Sequence, residues 1–170
     1  MRWGLIPCWA KDSSFRATTI NAVSETAAEK AAFREPLRRR RCLIPANGFY
    51  EWKTVLGQKQ PYHIGLADEG LFAFAGLWDR WEDSAGKVIE SRTILTTEAN
   101  TLLKDIHNRM PVILKLDDYD RWLDPGVTNP KRVVDLLRPY DPRRSNTEPV
   151  DTDISGLCTD GCSPDTLSRL

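Results

Sequence analysis

Apolar and polar positions alternate in short runs along most of this chain, and few stretches carry a helical period. Trp3 and Leu5 alternate as a strand does before Pro7 turns the run. "TTINAV" is β-like and passes into a helix candidate that Ser24 or Thr26 would cap and Pro36 would end. "RCLIPANGFYEWKTV" has strand character on both sides of a turn at Ala46-Asn47-Gly48. Next, "PYHIGLA", the turn "DEG" and "LFAFAGLW" predict a hairpin, and "ESRTILTTEA" a further strand. Helices are predicted at "EANTLLKDIH", "LDDYDRWL" and "PKRVVDLL", the last with Pro at its start. Strands dominate and connections are short. The expected fold is therefore α+β: a curved, mostly antiparallel, barrel-like sheet flanked by short helices. From Arg143 large apolar residues thin out, so residues 1–142 are expected to form the domain and 143–170 a loosely ordered tail.

Composition narrows the function classes. With 170 residues, 41% hydrophobic, the chain can bury a core without metal or disulfides, which excludes wholesale disorder. A formal net charge of zero removes the simplest argument for nucleic-acid binding but leaves room for a local basic patch. No run approaches 18 apolar residues and no leader pattern precedes the first strand, so a cytoplasmic protein with no membrane partner is expected. Cys8 and Cys42 read as reduced thiols. Cys158 and Cys162 resemble half a metal site, but two histidines in the whole chain argue against structural zinc, and neither metal nor cofactor is expected.

Several residues could carry chemistry. Arg38, Arg39, Arg40 and Arg41 form the one dense positive block, either a solvated helix end or a phosphate track. The track reading gains from nearby aromatics, since single-stranded DNA sites pair a basic groove with stacking rings. Trp3, Trp9, Tyr50 and Trp52 are candidates for such rings, or for core. In "GFYEWK", Glu51 sits between bulky aromatics. Packing there would raise its pKa and suit it to proton transfer; alternatively it points outward while its neighbours point in. His107, in "DIHNRMP" beside Arg109, could exchange protons near neutrality or merely cap a helix. His63 lies in an alternating strand and reads as structural. Asn21 could hold a substrate oxygen or form a turn. The motifs of serine hydrolases, zincins, P-loops and dinucleotide folds are absent.

Taken in order, "RWGLIPCWAKD", "NAVSETAAEKAAFREPLRRRRCLIPANGFYEWK", "PYHIGL", "FAFAGLWDRW" and "TILTTEANTLLKDIHNRMPVIL" resemble the SOS response-associated peptidase (SRAP) family, the abasic-site processing proteins. The resemblance implies a partner, single-stranded DNA containing abasic sites, bound by a monomer in the bacterial cytosol or nucleoid. It also implies a mechanism: the cysteine exposed when the initiator methionine is removed condenses, through its α-amine and thiol, with the lesion's aldehyde into a thiazolidine. By resemblance Asn21 orients the N-terminal residue, Glu51 handles protons at the amine, and His107 acts on the sugar oxygen. Trp3, Trp9, Trp52, Arg38 to Arg41 and Arg109 are the residues expected to touch DNA.

Three departures stand out. The family's N-terminal segment with its cysteine does not precede "RWGLIP" here, so the chain is expected to be truncated. The family's "NAR" is Asn21-Ala22-Val23, and the C-terminal residues diverge. Cys8 lies inside the chain, and a thiol without an adjacent free amine forms only a reversible hemithioacetal. The resemblance implies an enzymatic family, with autoproteolysis, crosslinking and lyase-type chemistry, and the truncation is expected to leave this chain without the nucleophile. Two other readings follow: a non-catalytic single-stranded DNA-binding remnant, and a peptidase acting on other proteins.

Overall fold

The computed structural model describes residues 1–150. In chain order the elements are β1 (Arg2–Trp3), β2 (Asn21–Val23), α1 (Ser24–Ala27), α2 (Ala31–Arg39), β3 (Arg41–Ala46), β4 (Gly48–Val55), β5 (Gln58–Leu66), β6 (Phe72–Glu82), β7 (Val88–Glu98), β8 (Arg109–Pro111), β9 (Ile113–Leu114), α3 (Tyr119–Leu123) and β10 (Ser145–Pro149), joined by 3-10 turns. The α+β class, strand-rich with few helices, is as expected; the sheets are curled but not closed.

β6 and β7 form the hub, pairing antiparallel from Gly76↔Ile94 to Glu82↔Val88. β3 runs antiparallel to β6, while β1 and β2 both lie parallel to β7. Beyond Gly76 and Ile94 the two hub strands diverge, and β8 and β9 fill the gap. Val112 bridges it: its N–H donates to the Leu95 carbonyl at 2.8 Å and its carbonyl accepts from the Ala75 N–H at 2.9 Å. A second, three-stranded antiparallel sheet has the order β10-β5-β4.

The seven-stranded sheet is covered on both faces, which is why "FAFAGL" in β6 is buried continuously instead of alternating. One face packs against the helices through Leu5, Phe33, Leu37, Leu77, Leu95 and Trp122. The other packs against the small sheet through Ile44, Phe49, Ile64, Phe74, Ile94 and Met110. Neighbouring residues such as Ile94 and Leu95 thus serve opposite layers, as a period of two requires. Gly4 permits the sharp exit from β1: its φ is +86°, and a Cβ there would lie 2.5 Å from the Arg16 carbonyl oxygen.

The structure corrects several expectations. Pro36 lies inside α2, because Phe33 and Leu37 anchor the helix to the sheet on either side of it. "PYHIGLA" and "LFAFAGLW" do not pair; β5 pairs with β4 and β10, and β6 belongs to the other sheet. "EANTLLKDIH" is a chain of turns, with the Asn100 side chain accepting from the N–H groups of Leu102 and Leu103 at 3.1 and 3.0 Å. "PKRVVDLL" forms two 3-10 turns in place of an α-helix. β10 pairs along β5 from Ser145↔Leu66 to Pro149↔Tyr62, so regular structure continues past the expected boundary at residue 142. Cys158 and Cys162 lie outside the described residues.

Candidate functional site

The layer between the two sheets, called the cleft below, brings Glu51 and His107 together and places Asn21 and Trp3 on the same face of the large sheet. In β4, Phe49 and Glu51 are buried while Tyr50 and Trp52 are half-buried on the opposite face, so the carboxylate points in and its aromatic neighbours do not. Glu51 is 4% exposed, its Oε1 has no hydrogen-bond partner among the described residues, and burial raises its pKa to about 8. It is therefore mostly protonated at neutral pH.

His107 comes off the turns after β7, just before β8. Its Nδ1 lies 3.8 Å from Glu51 Oε1, an approach rather than a hydrogen bond. That Nδ1 lies 3.2 Å from both the backbone N–H and the carbonyl oxygen of Arg109, so the turn holds the ring in place in either tautomer. The side chain is 36% exposed, so a ligand can reach the ring. Asn21 opens β2 opposite Ile94, on the cleft side of the sheet.

Arg109 is already engaged. Its guanidinium grips both Glu25 carboxylate oxygens at 2.9 Å and donates to the Thr96 carbonyl at 2.6 Å. This pair holds Glu25 below the usual carboxylate range and ties α1, behind Asn21, to the strand after His107. The sequence points to Arg109 as a DNA contact and gives no sign of Glu25, since a pairing 84 residues apart leaves no local signal.

The arginine run does not reach the cleft. It sits with α2 on the helical face of the large sheet, across the layer from Glu51. Arg38 and Arg39 pair with Glu35, and Arg40 pairs with buried Asp79 at 3.2 Å. Arg41 is a correction to the phosphate-track reading. It is 8% exposed and donates to the carbonyls of Leu37, Arg38, Trp122, Asp124 and Val127. It fastens the end of α2 to the segment after α3.

The aromatic candidates scatter. Trp3 faces the cleft, with the Arg92 guanidinium carbon 5.3 Å from its ring centroid. Trp9 is 54% exposed and meets Phe15 edge-on at 5.2 Å. Its loop is held by three bonds: Ile6 N–H to Ser91 Oγ at 2.7 Å, Cys8 N–H to Asp79 Oδ2 at 3.1 Å, and Trp81 Nε1–H to the Ala10 carbonyl at 2.7 Å. His63, outside the cleft, meets the Tyr50 ring at a tilt of 55° and overlies Gly48, where a Cβ would fall 2.0 Å from its Nε2. Sequence reasoning also missed Arg92; a cation at a core-facing position of β7, two residues from Ile94, was the available signal.

Cys42 lines the inter-sheet layer, and burial pushes its thiol up to about 11, so it stays protonated. Cys8 is exposed. Among the described residues no group of three or more His, Cys, Asp or Glu could hold a metal ion, and no helix is long and apolar enough to cross a membrane. The inter-sheet side thus offers a buried proton donor beside an accessible imidazole, with an amide and a half-buried cation on the facing strands.

Comparison with known proteins gives this site a context. The family model described as SOS response associated peptidase (SRAP) matches residues 1–156. The chain is 51% identical over 142 residues to "Abasic site processing protein YoaM" of Bacillus subtilis, covering 83% of this chain and 63% of that protein. It is 34% identical over 172 residues to "Abasic site processing protein HMCES" of Rattus norvegicus, covering 83% of this chain and 49% of that one. A crystal structure from Bacteroides thetaiotaomicron superposes with a TM-score of 0.86 at 34% identity, over 99% of this chain and 75% of that one. A second, from Bordetella bronchiseptica, gives 0.78 at 34% identity, over 88% and 75%.

Proposed function

We propose a function from one premise: the chain belongs to the SOS response associated peptidase (SRAP) family. Its relatives in Bacillus and rat carry the name abasic site processing protein, and the chain spans 63% and 49% of their lengths. In our reading this protein too engages DNA where a base is missing, in single strands, in the cytoplasm or nucleoid. The observation that carries the reading is the buried carboxyl of Glu51, raised to about 8, with the His107 ring 3.8 Å away.

The chemistry follows from that pair. A ring-opened abasic sugar presents an aldehyde. When an amine adds, the aldehyde oxygen becomes a hydroxyl, and imine formation requires that hydroxyl to leave as water. Leaving needs a proton, and a carboxylic acid with pKa about 8 still holds one at neutral pH. His107 exchanges protons with the sugar hydroxyl freed on ring opening, and Asn21 orients the attacking amine. Where that amine belongs to an N-terminal cysteine, its thiol then adds to the imine carbon and closes a thiazolidine, with one water lost overall. Neither Cys8 nor Cys42 can close that ring, since the nitrogen of each is a peptide amide. The stable adduct therefore requires an amino-terminal cysteine delivered to the cleft.

The test is binding and trapping on one oligomer carrying a single abasic site. The chain should bind abasic single strands more tightly than intact ones, and Glu51→Gln or His107→Ala should erase that preference. Equal affinity for both oligomers would refute the reading. Exposed Trp9 on its clamped loop supports a second reading, a single-stranded DNA binder without chemistry. Salt-sensitive binding that both substitutions leave unchanged would select it.

A further inference from the structure

Arg92, on the inter-sheet side of β7, is a cation with no carboxylate partner among the described residues. Arg92 projects from β7 in the row Trp3–Arg92–Trp78, one row from Asn21–Ile94–Gly76–Cys42. Residues two apart on a strand share a face and lie about 7 Å apart, so Arg92 borders the space beside Asn21. The side chain is half-buried and lies against the Trp3 ring. Its Nε is buried without a hydrogen-bond partner, and among the described residues its other nitrogens make no hydrogen bond or ion pair either. This contrasts with Arg38 to Arg41 and Arg109, each of which has a carboxylate or carbonyl.

The surroundings leave the charge standing. Cys42, close enough to feel Arg92, stays a neutral thiol, and Glu51 is mostly protonated at neutral pH. A guanidinium carries five donors in a rigid fork suited to phosphate oxygens, and desolvating one without an acceptor is costly. Its stack on Trp3 holds the fork in place before any ligand arrives.

We propose that Arg92 binds a phosphodiester of the DNA strand next to the abasic sugar, with Trp3 as its support. This inference rests on the DNA reading above and names the group that the cleft's positive charge takes.

The test separates the two. Fluorescence anisotropy is read for the wild-type chain, Arg92→Gln and Arg92→Lys on a labelled single strand with one abasic site, and on its intact counterpart, over a range of salt. Losing one phosphate contact should lower the log–log salt slope by about 0.7 and weaken binding roughly ten-fold at low salt. Arg92→Lys should keep the slope, and Lys131→Ala, an exposed cation on the helical side, should change neither quantity. Replacing single linkages by neutral methylphosphonates should locate the contact. One position beside the lesion should weaken wild-type binding while leaving Arg92→Gln indifferent, the non-additivity of a direct contact.

Urea midpoints check folding, and Arg92→Met carries the test if Arg92→Gln is unstable: the linkage that weakens wild-type binding should leave Arg92→Met indifferent. An unchanged slope in Arg92→Gln, or methylphosphonate effects identical to wild type at every linkage, would overturn the inference. If wild type fails to prefer the abasic oligomer, the functional reading falls, and the slope on the intact strand still decides whether Arg92 holds a phosphate.

Discussion

Replacing Glu51 by glutamine should change how the stability of this fold depends on pH. Burial raises the Glu51 carboxyl from its ordinary 4.5 to about 8, so between those values the folded protein holds a proton that the unfolded chain has released. The folded pKa is the higher one. Stability is then greatest below about pH 4.5, falls as pH rises through the window, and levels off above about 8. At about 1.4 kcal/mol per pH unit, the whole window corresponds to about 5 kcal/mol. Glutamine keeps the shape of the side chain and removes the titration. Urea unfolding of wild type and Glu51→Gln at matched pH isolates this one group, because the other titrations are shared. The stability gap should move in favour of Glu51→Gln by about 3.5 kcal/mol between pH 5 and pH 8, a little less than the full slope because the titration is incomplete at both ends. Parallel pH profiles would mean that Glu51 ionises in the folded protein as it does in water, and the argument for a proton donor in the cleft would fail.

Other outcomes follow from the same contacts. Arg41→Met should cost about 3–5 kcal/mol by urea unfolding, because five carbonyls lose a buried charged donor; a cost under 1 kcal/mol would show that they find water instead. Asp79→Ala removes the acceptor for the Cys8 N–H and the partner of Arg40. Its steady-state Trp fluorescence anisotropy should fall as Trp9 loosens, and single-stranded DNA affinity should fall with it; unchanged values would mean the other two bonds suffice to hold the loop. Replacing Arg38 and Arg39 together by alanine should leave the salt slope of DNA binding unchanged, since both pair with Glu35 across the sheet from the cleft. A fall of about 1.4, about 0.7 for each contact, would reinstate the phosphate track.

What the sequence showed was set by how local the signals are. The strands at 41–46, 48–55 and 88–98 were legible because β-branched and aromatic residues are bounded by turn residues. Their partners were not. The β4–β5 hairpin turns at Leu56-Gly57, with φ of +50° and +81°, and leucine hides a turn that asparagine would have announced. "DEG" announced a turn but joins two different sheets. The short segment around residue 100 has helical spacing but lacks the length to pay for helix nucleation. Glu51, His107 and Asn21 were legible as chemistry, but an alternating pattern alone could not say whether Glu51 or its aromatic neighbours faced inward. The arginine block misled for a physical reason: charge density in sequence does not show which cations are already satisfied by distant carbonyls. Arg92 was overlooked for the converse reason, as a single cation in a strand gains its meaning only from the partners it lacks.

The most direct test of the cleft's role is the adduct itself. The chain is extended at its amino end by a family-like segment that begins with a free cysteine. It is then incubated with a single-stranded oligomer bearing one abasic site, and adducts are counted on denaturing gels and mapped by mass spectrometry. A heat-stable adduct at the terminal cysteine, formed or reversed at least ten-fold more slowly in Glu51→Gln and His107→Ala, is the expected result, since positioned acid–base groups contribute about 100-fold or more. The unextended chain should give no heat-stable adduct. A stable adduct mapped to Cys8, or rates indifferent to both substitutions, would contradict the account.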